Sequence, residues 1–209
     1  MAPQVPEKSA NFYDKANFEG ASHNYALSSV THLYPKKIAD VYHSVNVGLG
    51  AKVNCWHHLD YDGRHGVLEG EAATLVSIGD LTCFSVDKDD THIIQFRFVD
   101  KTGGQPKDYS LTLNLAGIGK KILLSDDGPD FKLAGKINAS EGIVTTAIYL
   151  RNEKTGVYLA TGSIYFKWNS EKNEVDIDSE KFWPKQLTHE RQGQAKFLVT
   201  LVSNKPSEE

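Results

Sequence analysis

Three histidines and two aspartates fall within one short stretch of the sequence and could together bind a transition metal. His57 and His58 are followed by Asp60, Asp62 and His65. Imidazole nitrogens and carboxylate oxygens are ligands for zinc, copper and nickel. Histidines also occur commonly in polar surface turns. We therefore expect these side chains to be exposed to solvent rather than to hold a metal ion.

Two cysteines, Cys55 and Cys83, are the only thiols of the chain, and neither belongs to a CxxC motif. A nucleophilic cysteine needs a basic neighbour that generates the thiolate. Each cysteine instead lies in an apolar stretch of strand-like sequence, where a free thiol packs as a small hydrophobic group. The sequence predicts two buried, reduced thiols.

Signatures of enzyme active sites are incomplete throughout the sequence. Gly48-Leu49-Gly50 lacks the third glycine of a dinucleotide-binding turn, and residues 117–121 lack the spacing and the hydroxyl residue of a phosphate-binding loop. The sequence contains neither a GxSxG nor an HExxH motif. Glu69 and Glu71 could pair for acid–base chemistry, but sequence cannot show a shared cleft. We expect no enzymatic activity.

Charge and hydropathy predict a soluble, cytoplasmic protein. The 209 residues carry a net charge of −4, which provides no basic field for nucleic acid or for an anionic membrane. No apolar run is long enough to span a bilayer, and residues 1–10 lack the apolar core of a signal peptide. We therefore expect neither nucleic acid nor membrane as a partner. Self-association at high concentration stays open, because the mutual repulsion is weak.

An internal repeat reveals the elements of the first half. Residues 12–20 and 55–63 both contain an aromatic residue, then a second aromatic residue, an acidic residue and a glycine at matching positions. Tyr13 and Gly20 in the first copy correspond to Trp56 and Gly63 in the second. This spacing predicts two folded-over β-hairpins, in which the glycine adopts a positive φ and the two aromatic rings stack.

This repeat resembles the hairpin signature of the βγ-crystallin family over residues 10–87. The resemblance implies two Greek-key motifs that pack as a small β-sandwich. It also implies that a serine two places after the glycine bonds back onto the hairpin. Ser22 occupies that position in the first copy, whereas His65 replaces the serine in the second.

The same resemblance implies calcium sites, because many βγ-crystallins bind two Ca²⁺ ions through two Asn/Asp residues, two variable residues and Ser/Thr-Ser. In residues 39–44, Asp40 and Ser44 match this motif, whereas Ala39 and His43 do not. In residues 79–84 only Asp80 matches. Calcium needs six to eight oxygen ligands. We therefore expect no bound cofactor, with weak calcium binding by Asp40, Ser44 and Asp80 as the open alternative.

The second half contains strand signals at regular spacing, separated by turns rich in glycine, proline and aspartate. Residues 87–90 are a charged run that we interpret as a solvated linker, which places the domains at 1–88 and 89–209. Seven or eight strands in the second domain predict an immunoglobulin-like sandwich. The fold class is all-β, a double Greek-key βγ-crystallin sandwich followed by an immunoglobulin-like one.

The whole chain resembles a family of fungal proteins that accumulate in fruiting bodies. This resemblance implies a non-catalytic, crystallin-like, abundant structural protein of a developmental tissue. The alternative is a calcium- or carbohydrate-binding module. Tyr149, Tyr158 and Tyr165 could stack on a sugar if they are exposed, but outward-facing strand tyrosines without a ligand are the interpretation that we favour. Carbohydrate therefore stays open as a partner.

Overall fold

Every regular element longer than three residues in the described part of the chain is a β-strand. The computed structural model describes residues 3–27, 32–33, 41–58, 64–72, 74–75, 82–102, 109–114, 121–124, 131–178 and 183–202, with the backbone alone at 32–33 and 121–124. None of these residues belongs to a helix long and apolar enough to cross a membrane. The chain folds as two units, residues 1–91 and 92–209.

The first unit contains two four-stranded sheets that exchange strands between the sequence repeats. Its strands are β1 (Ser9–Tyr13), β2 (Ser22–Ala26), β3 (His32–Leu33), β4 (Ser44–Val47), β5 (Ala51–Trp56), β6 (His65–Leu68), β7 (Glu71–Ala72) and β8 (Cys83–Lys88). The sheet orders are β2-β1-β4-β7 and β3-β8-β5-β6. Strand β7 of the second repeat joins the sheet of the first, and β3 of the first repeat joins the sheet of the second. This exchange is the double Greek key predicted from the repeat.

Aromatic rings fill the core between these two sheets. Phe12 of β1 stacks on Phe84 of β8 at 4.6 Å between ring centroids. Tyr25 meets both rings edge-on at 5.5 and 5.1 Å, and its hydroxyl shares a 2.6 Å hydrogen bond with that of Tyr42. Cys55 is fully buried in the same core. The inward-facing residues of both repeats therefore form one continuous core.

The second unit is an all-β sandwich of two sheets. Its strands are β9 (Thr91–Asp100), β10 (Tyr109–Asn114), β11 (Lys121–Leu124), β12 (Lys132–Asn138), β13 (Ile143–Asn152), β14 (Tyr158–Asn169), β15 (Glu174–Asp178), β16 (Leu187–Gly193) and β17 (Lys196–Leu201). The sheets are β11-β10-β13-β14-β15 and β12-β9-β17-β16. Phe96 of one sheet packs edge-on against Phe166 of the other at 5.8 Å. The first and last strands, β9 and β17, pair in parallel. The predicted immunoglobulin-like sandwich is confirmed, with nine strands in the described residues instead of the seven or eight expected.

The charged run at residues 87–90 is not the solvated linker that the sequence predicted. Asp87 lies within β8 and is buried, and its Oδ2 accepts hydrogen bonds from Asn54 Nδ2 at 2.7 Å and from Ser85 Oγ at 2.6 Å. Only Asp89 and Asp90 form a turn before β9. A charged residue can occupy a buried strand position when neighbouring donors satisfy its carboxylate, and sequence alone does not show those donors.

His189 should make the stability of the second unit depend on pH. It lies on β16, half-buried beside Trp183 at 4.9 Å between rings, and burial, followed by the charge of Arg191, lowers its pKa. The unfolded chain therefore binds a proton at His189 more readily than the folded chain does. Stability from this residue is complete above about pH 6.5 and is lost as the pH falls below that value toward the folded-state pKa.

Urea midpoints of the second unit, measured between pH 5 and 8, test this expectation. We expect the midpoint to fall on acidification in the native chain, and to fall less in His189→Gln. A parallel decline in both proteins would contradict the assignment to His189.

Candidate functional site

The first folded-over hairpin has the conformation that its sequence predicts. Tyr13 and Phe18 pack edge-on at 5.9 Å between ring centroids, and Gly20 has a φ of +80°. A side chain at Gly20 would collide with the carboxylate of Asp14, whose Oδ1 accepts a hydrogen bond from Ala21 N at 2.9 Å. The backbone angle therefore favours glycine at this position, and a larger residue would also displace the exposed Asp14 carboxylate from Ala21 N.

Ser44, a predicted calcium ligand, lies buried at the start of β4 and stabilises this hairpin through two hydrogen bonds. Its Oγ donates a hydrogen bond to Lys15 O at 2.7 Å and accepts one from Phe18 N at 3.0 Å. The second bond stabilises Phe18 at a φ of +61°, which is costly for a bulky residue. Ser22 lies exposed at the start of β2, and His43 is also exposed. Asp40 lies outside the described residues, so its role as a ligand stays a prediction.

The pairing register shows which residues of the second repeat correspond to the motif of the first. Tyr13 pairs with Ser44, and its counterpart Trp56 pairs with Cys83. Cys83 Sγ lies 3.2 Å from His58 O, and His58 occupies the position of Lys15 in the repeat. Cys83 is therefore the counterpart of Ser44.

This register corrects the sequence alignment of the second motif by one residue, since that alignment placed Phe84 opposite Ser44. Thr82 now corresponds to His43, because both backbone amides donate 2.8 Å hydrogen bonds to the paired aromatic residue. A hydroxyl therefore occupies the Ser/Thr position of the second motif, and Thr82 Oγ1 donates to His57 O at 2.8 Å. Asp80 moves to a variable position; it lies outside the described residues, and its role as a ligand stays a prediction.

Replacing Ser44 with alanine should destabilise the first unit by about 1–2 kcal/mol, because the Lys15 carbonyl and the Phe18 amide both lose a part-buried hydrogen-bond partner. The matched variant is Cys83→Ala, which removes a weaker thiol bond at the equivalent position. Chemical denaturation should show a loss of stability in Ser44→Ala at least as large as that in Cys83→Ala, although Cys83→Ala removes the larger atom. A loss in Ser44→Ala below about 0.5 kcal/mol would show that the hydroxyl does not stabilise the hairpin.

Of the three histidines considered as metal ligands, only His57 and His58 lie side by side. The rings of His57 and His58 lie 4.2 Å apart between centroids, whereas His65 packs on Trp56 at 5.3 Å and contacts Asn54 Oδ1 at 3.0 Å through Nε2. Asp60 and Asp62 lie outside the described residues. Within the ranges that the structure describes, no three His, Cys, Asp or Glu side chains are grouped closely enough to hold a metal ion.

The prediction of two buried, reduced thiols is confirmed. Cys55 and Cys83 are both free and fully buried. Burial raises the pKa of Cys55 far above the ordinary value, and the neighbouring Cys83 and Asp87 raise it further. A thiol with this pKa stays protonated at neutral pH and is a poor nucleophile.

The three tyrosines proposed as a sugar platform do not form a flat surface together. Tyr149 and Tyr158 lie 6.2 Å apart with their ring planes at 67°. Tyr149 pairs with Thr161 of β14, and Tyr165 lies four residues further along the same strand, opposite Thr145. Stacking on a sugar would therefore involve one ring at a time.

An exposed apolar cluster lies at the turn end of the β13–β14 hairpin and was not recognised from the sequence. We call residues 153–159 the hairpin tip. Val157, Tyr158 and Leu159 are 56, 55 and 41% exposed. The only sequence signal for this cluster is that three apolar residues follow the predicted turn 152–156 without a polar one between them.

Comparisons with known proteins cover 98% of the chain. A family model described as "Beta/Gamma crystallin" matches residues 6–88, and one described as "Membrane binding" matches residues 94–202, or 109 of the 209 residues. No curated protein sequence matches the chain.

Solved structures similar to the chain include that of the Abundant Perithecial Protein from Neurospora crassa, which is 42% identical, with a TM-score of 0.75 over 98% of this chain and 100% of that one. The Ca²⁺-bound βγ-crystallin domain of that protein is 37% identical over 44% of this chain and all of that one, with a TM-score of 0.39. Hahellin, a βγ-crystallin, is 22% identical over 40% of this chain and 94% of that one, with a TM-score of 0.35. The chain therefore belongs to the family of the abundant perithecial protein, with a βγ-crystallin domain followed by a domain of the family described as membrane binding.

Proposed function

We propose that this chain is a non-catalytic, crystallin-like structural protein that accumulates to high concentration in the cytoplasm of a fungal developmental tissue. The observation that supports this function is the end-to-end similarity to a protein whose name describes it as abundant and perithecial. A net charge of −4 agrees with crowding, since it causes weak mutual repulsion without a strong field of one sign.

The side chains of the first unit that were candidates for chemistry make contacts that stabilise the fold, which supports a structural role for this unit. Ser44 fastens a hairpin, both thiols are packed in the protein interior, and His65 lies against Trp56. Each group thereby stabilises the fold. The polar network of Asn54, Ser85 and Asp87 is likewise built between neighbouring strands of one sheet.

Thermal unfolding of the full chain in chelator and in about 5 mM Ca²⁺ separates this function from the calcium-binding alternative. A micromolar site that exists only in the folded state would add roughly 5 kcal/mol of stability. We expect no such shift, and Asp40→Ala and Asp80→Ala should melt as the native chain does in both conditions. A shift of many degrees that either variant abolishes would favour a calcium-responsive module, with the hydroxyl of Thr82 as a further candidate ligand.

The amount of this protein in different tissues tests whether it accumulates during development. Quantitative mass spectrometry of fruiting bodies and vegetative cells should find the chain among the major proteins of fruiting bodies only. A low level in both tissues would contradict an abundant structural role. A glycan array without hits would remove the carbohydrate alternative.

A second function, association with a lipid surface, is favoured by two observations on the second unit. The family model that matches residues 94–202 is described as membrane binding, and the exposed hairpin tip lies within that range. The expectation of no membrane partner rests on charge and on the lack of a spanning segment. Net charge and the lack of a spanning segment do not bear on shallow insertion of an apolar tip, so the absence of a membrane partner stays a prediction. Sedimentation of the full chain with phospholipid vesicles decides between that prediction and lipid association.

A further inference from the structure

We infer that the hairpin tip, residues 153–159, is the element through which the chain inserts into the boundary between headgroups and acyl chains of a phospholipid bilayer. This inference rests on the second proposed function and assigns it to particular residues. On β13 and β14, Ile148, Leu150, Ile164 and Phe166 face the core and are fully buried, and Ile143, at the opposite end of β13, is a single exposed apolar residue. At the tip, three consecutive apolar side chains face solvent instead.

A β-bulge explains why two neighbouring residues of β14, Tyr158 and Leu159, are both exposed, while Val157 lies in the turn before the strand. Leu150 pairs with Ala160 and Arg151 pairs with Tyr158, so Leu159 is an extra residue on β14 with no partner in the register. A bulge changes the direction in which side chains point beyond it. It breaks the alternation that buries every second residue of β14 and leaves Leu159 41% exposed beside Tyr158.

The turn that carries these side chains is held by hydrogen bonds. Asn152 N donates to Val157 O and Gly156 N donates to Asn152 O, both at 2.8 Å. Asn152 Oδ1 accepts from the backbone amides of Lys154 and Thr155, each at 3.0 Å. A turn ordered in this way presents its apolar side chains without a further ordering cost on binding.

The composition of the tip fits a lipid surface. Tyrosine is favoured at the membrane interface, where its ring contacts apolar chains and its hydroxyl meets water. The Arg151 guanidinium lies over the Tyr158 ring at 5.9 Å, and Lys154 is exposed in the turn. Glu153 accepts a hydrogen bond from Ser110 and pairs with Arg151. Arg151, Glu153 and Lys154 together carry one net positive charge. We therefore expect apolar insertion to dominate, with a modest preference for anionic lipid.

The test compares two variants of the full chain in sedimentation with vesicles of phosphatidylcholine alone and with about one-fifth phosphatidylserine. One variant combines Val157→Ser, Tyr158→Ser and Leu159→Ser. The matched control is Ile143→Ser, because Ile143 is 56% exposed at the opposite end of β13 and pairs with Lys167. All three substituted tip positions are exposed, and thermal unfolding verifies that both variants fold.

We expect the partition coefficient to fall at least tenfold in the triple variant and to stay within twofold of the native value in Ile143→Ser. Native binding that the triple variant retains would overturn this inference and leave the proposed lipid association standing. A native chain that fails to bind either vesicle would overturn both.

Insertion itself is measured with an environment-sensitive fluorophore. Cys55 and Cys83 are buried, so Tyr158→Cys adds a single exposed thiol that can be labelled in the folded chain. Vesicles should shift the emission of a fluorophore at position 158 to the blue, and leave that of the Ile143→Cys control unchanged. Equal shifts at both positions would overturn the assignment to the tip.

Discussion

Replacing Phe12 with alanine is expected to lower the free energy of unfolding of the first unit by about 3–5 kcal/mol. Phe12 is fully buried, and its ring centroid lies 4.6 Å from that of Phe84, 5.1 Å from that of Tyr42 and 5.5 Å from that of Tyr25. Its removal leaves a cavity between two sheets that each include strands from both repeats, so neither sheet can close over the gap alone.

Tryptophan fluorescence can follow this transition separately from that of the second unit. Trp56 belongs to the first unit and the other two tryptophans, Trp168 and Trp183, to the second. In a Trp168→Phe, Trp183→Phe background, the denaturation midpoint reported by Trp56 should fall steeply in Phe12→Ala. Val67→Ala on β6 is the matched control, because Val67 is 47% exposed and should cost well under about 1 kcal/mol. A small effect of Phe12→Ala would contradict the shared core.

Replacing Gly48 with alanine is expected to destabilise the first unit by about 2–4 kcal/mol, since overpacking adds to weakened hydrogen bonds. The new methyl group would collide with the carbonyl oxygen of Pro6 and lie 3.2 Å from Ser9 O. Both oxygens are engaged, because Ser9 Oγ donates to Pro6 O and Gly48 N donates to Ser9 O, each at 2.8 Å. These are backbone atoms, so relief requires displacement of the chain before β1.

Gly70→Ala is the control for Gly48→Ala, because it separates steric collision from backbone strain. Gly70 has a φ of +62°, and a methyl group at this position would have no atom within 4 Å of it beyond its chain neighbours. Its replacement should cost about 1 kcal/mol from the left-handed conformation alone. Urea midpoints measured with Trp56 should therefore fall further in Gly48→Ala than in Gly70→Ala. The reverse order would show that the chain before β1 moves aside readily.

The candidate calcium motif shows where sequence reasoning needed the strand register. The repeat of Tyr13 and Gly20 was visible from spacing alone, because a tight hairpin restricts both the aromatic pair and the glycine locally. The counterpart of Ser44 was wrong by one residue, because the segments that connect each hairpin to its closing strand differ in length. Only the pairing of Trp56 with Cys83 aligns the two copies.

Local sequence by itself determined the all-β class, the first folded-over hairpin and the alternation of the sandwich strands, because these features depend on residues close together in the chain; residues 59–63 of the second hairpin lie outside the described residues, so its folded-over turn stays a prediction. Tertiary structure decided three features that depend on how strands pair. Asp87 is buried because Asn54 and Ser85 donate to it, and Ser44 stabilises the first hairpin because β4 pairs with β1. Leu159 is exposed because a bulge forms against Arg151 on β13, and the alternation of apolar residues does not show where the register of a strand pair shifts.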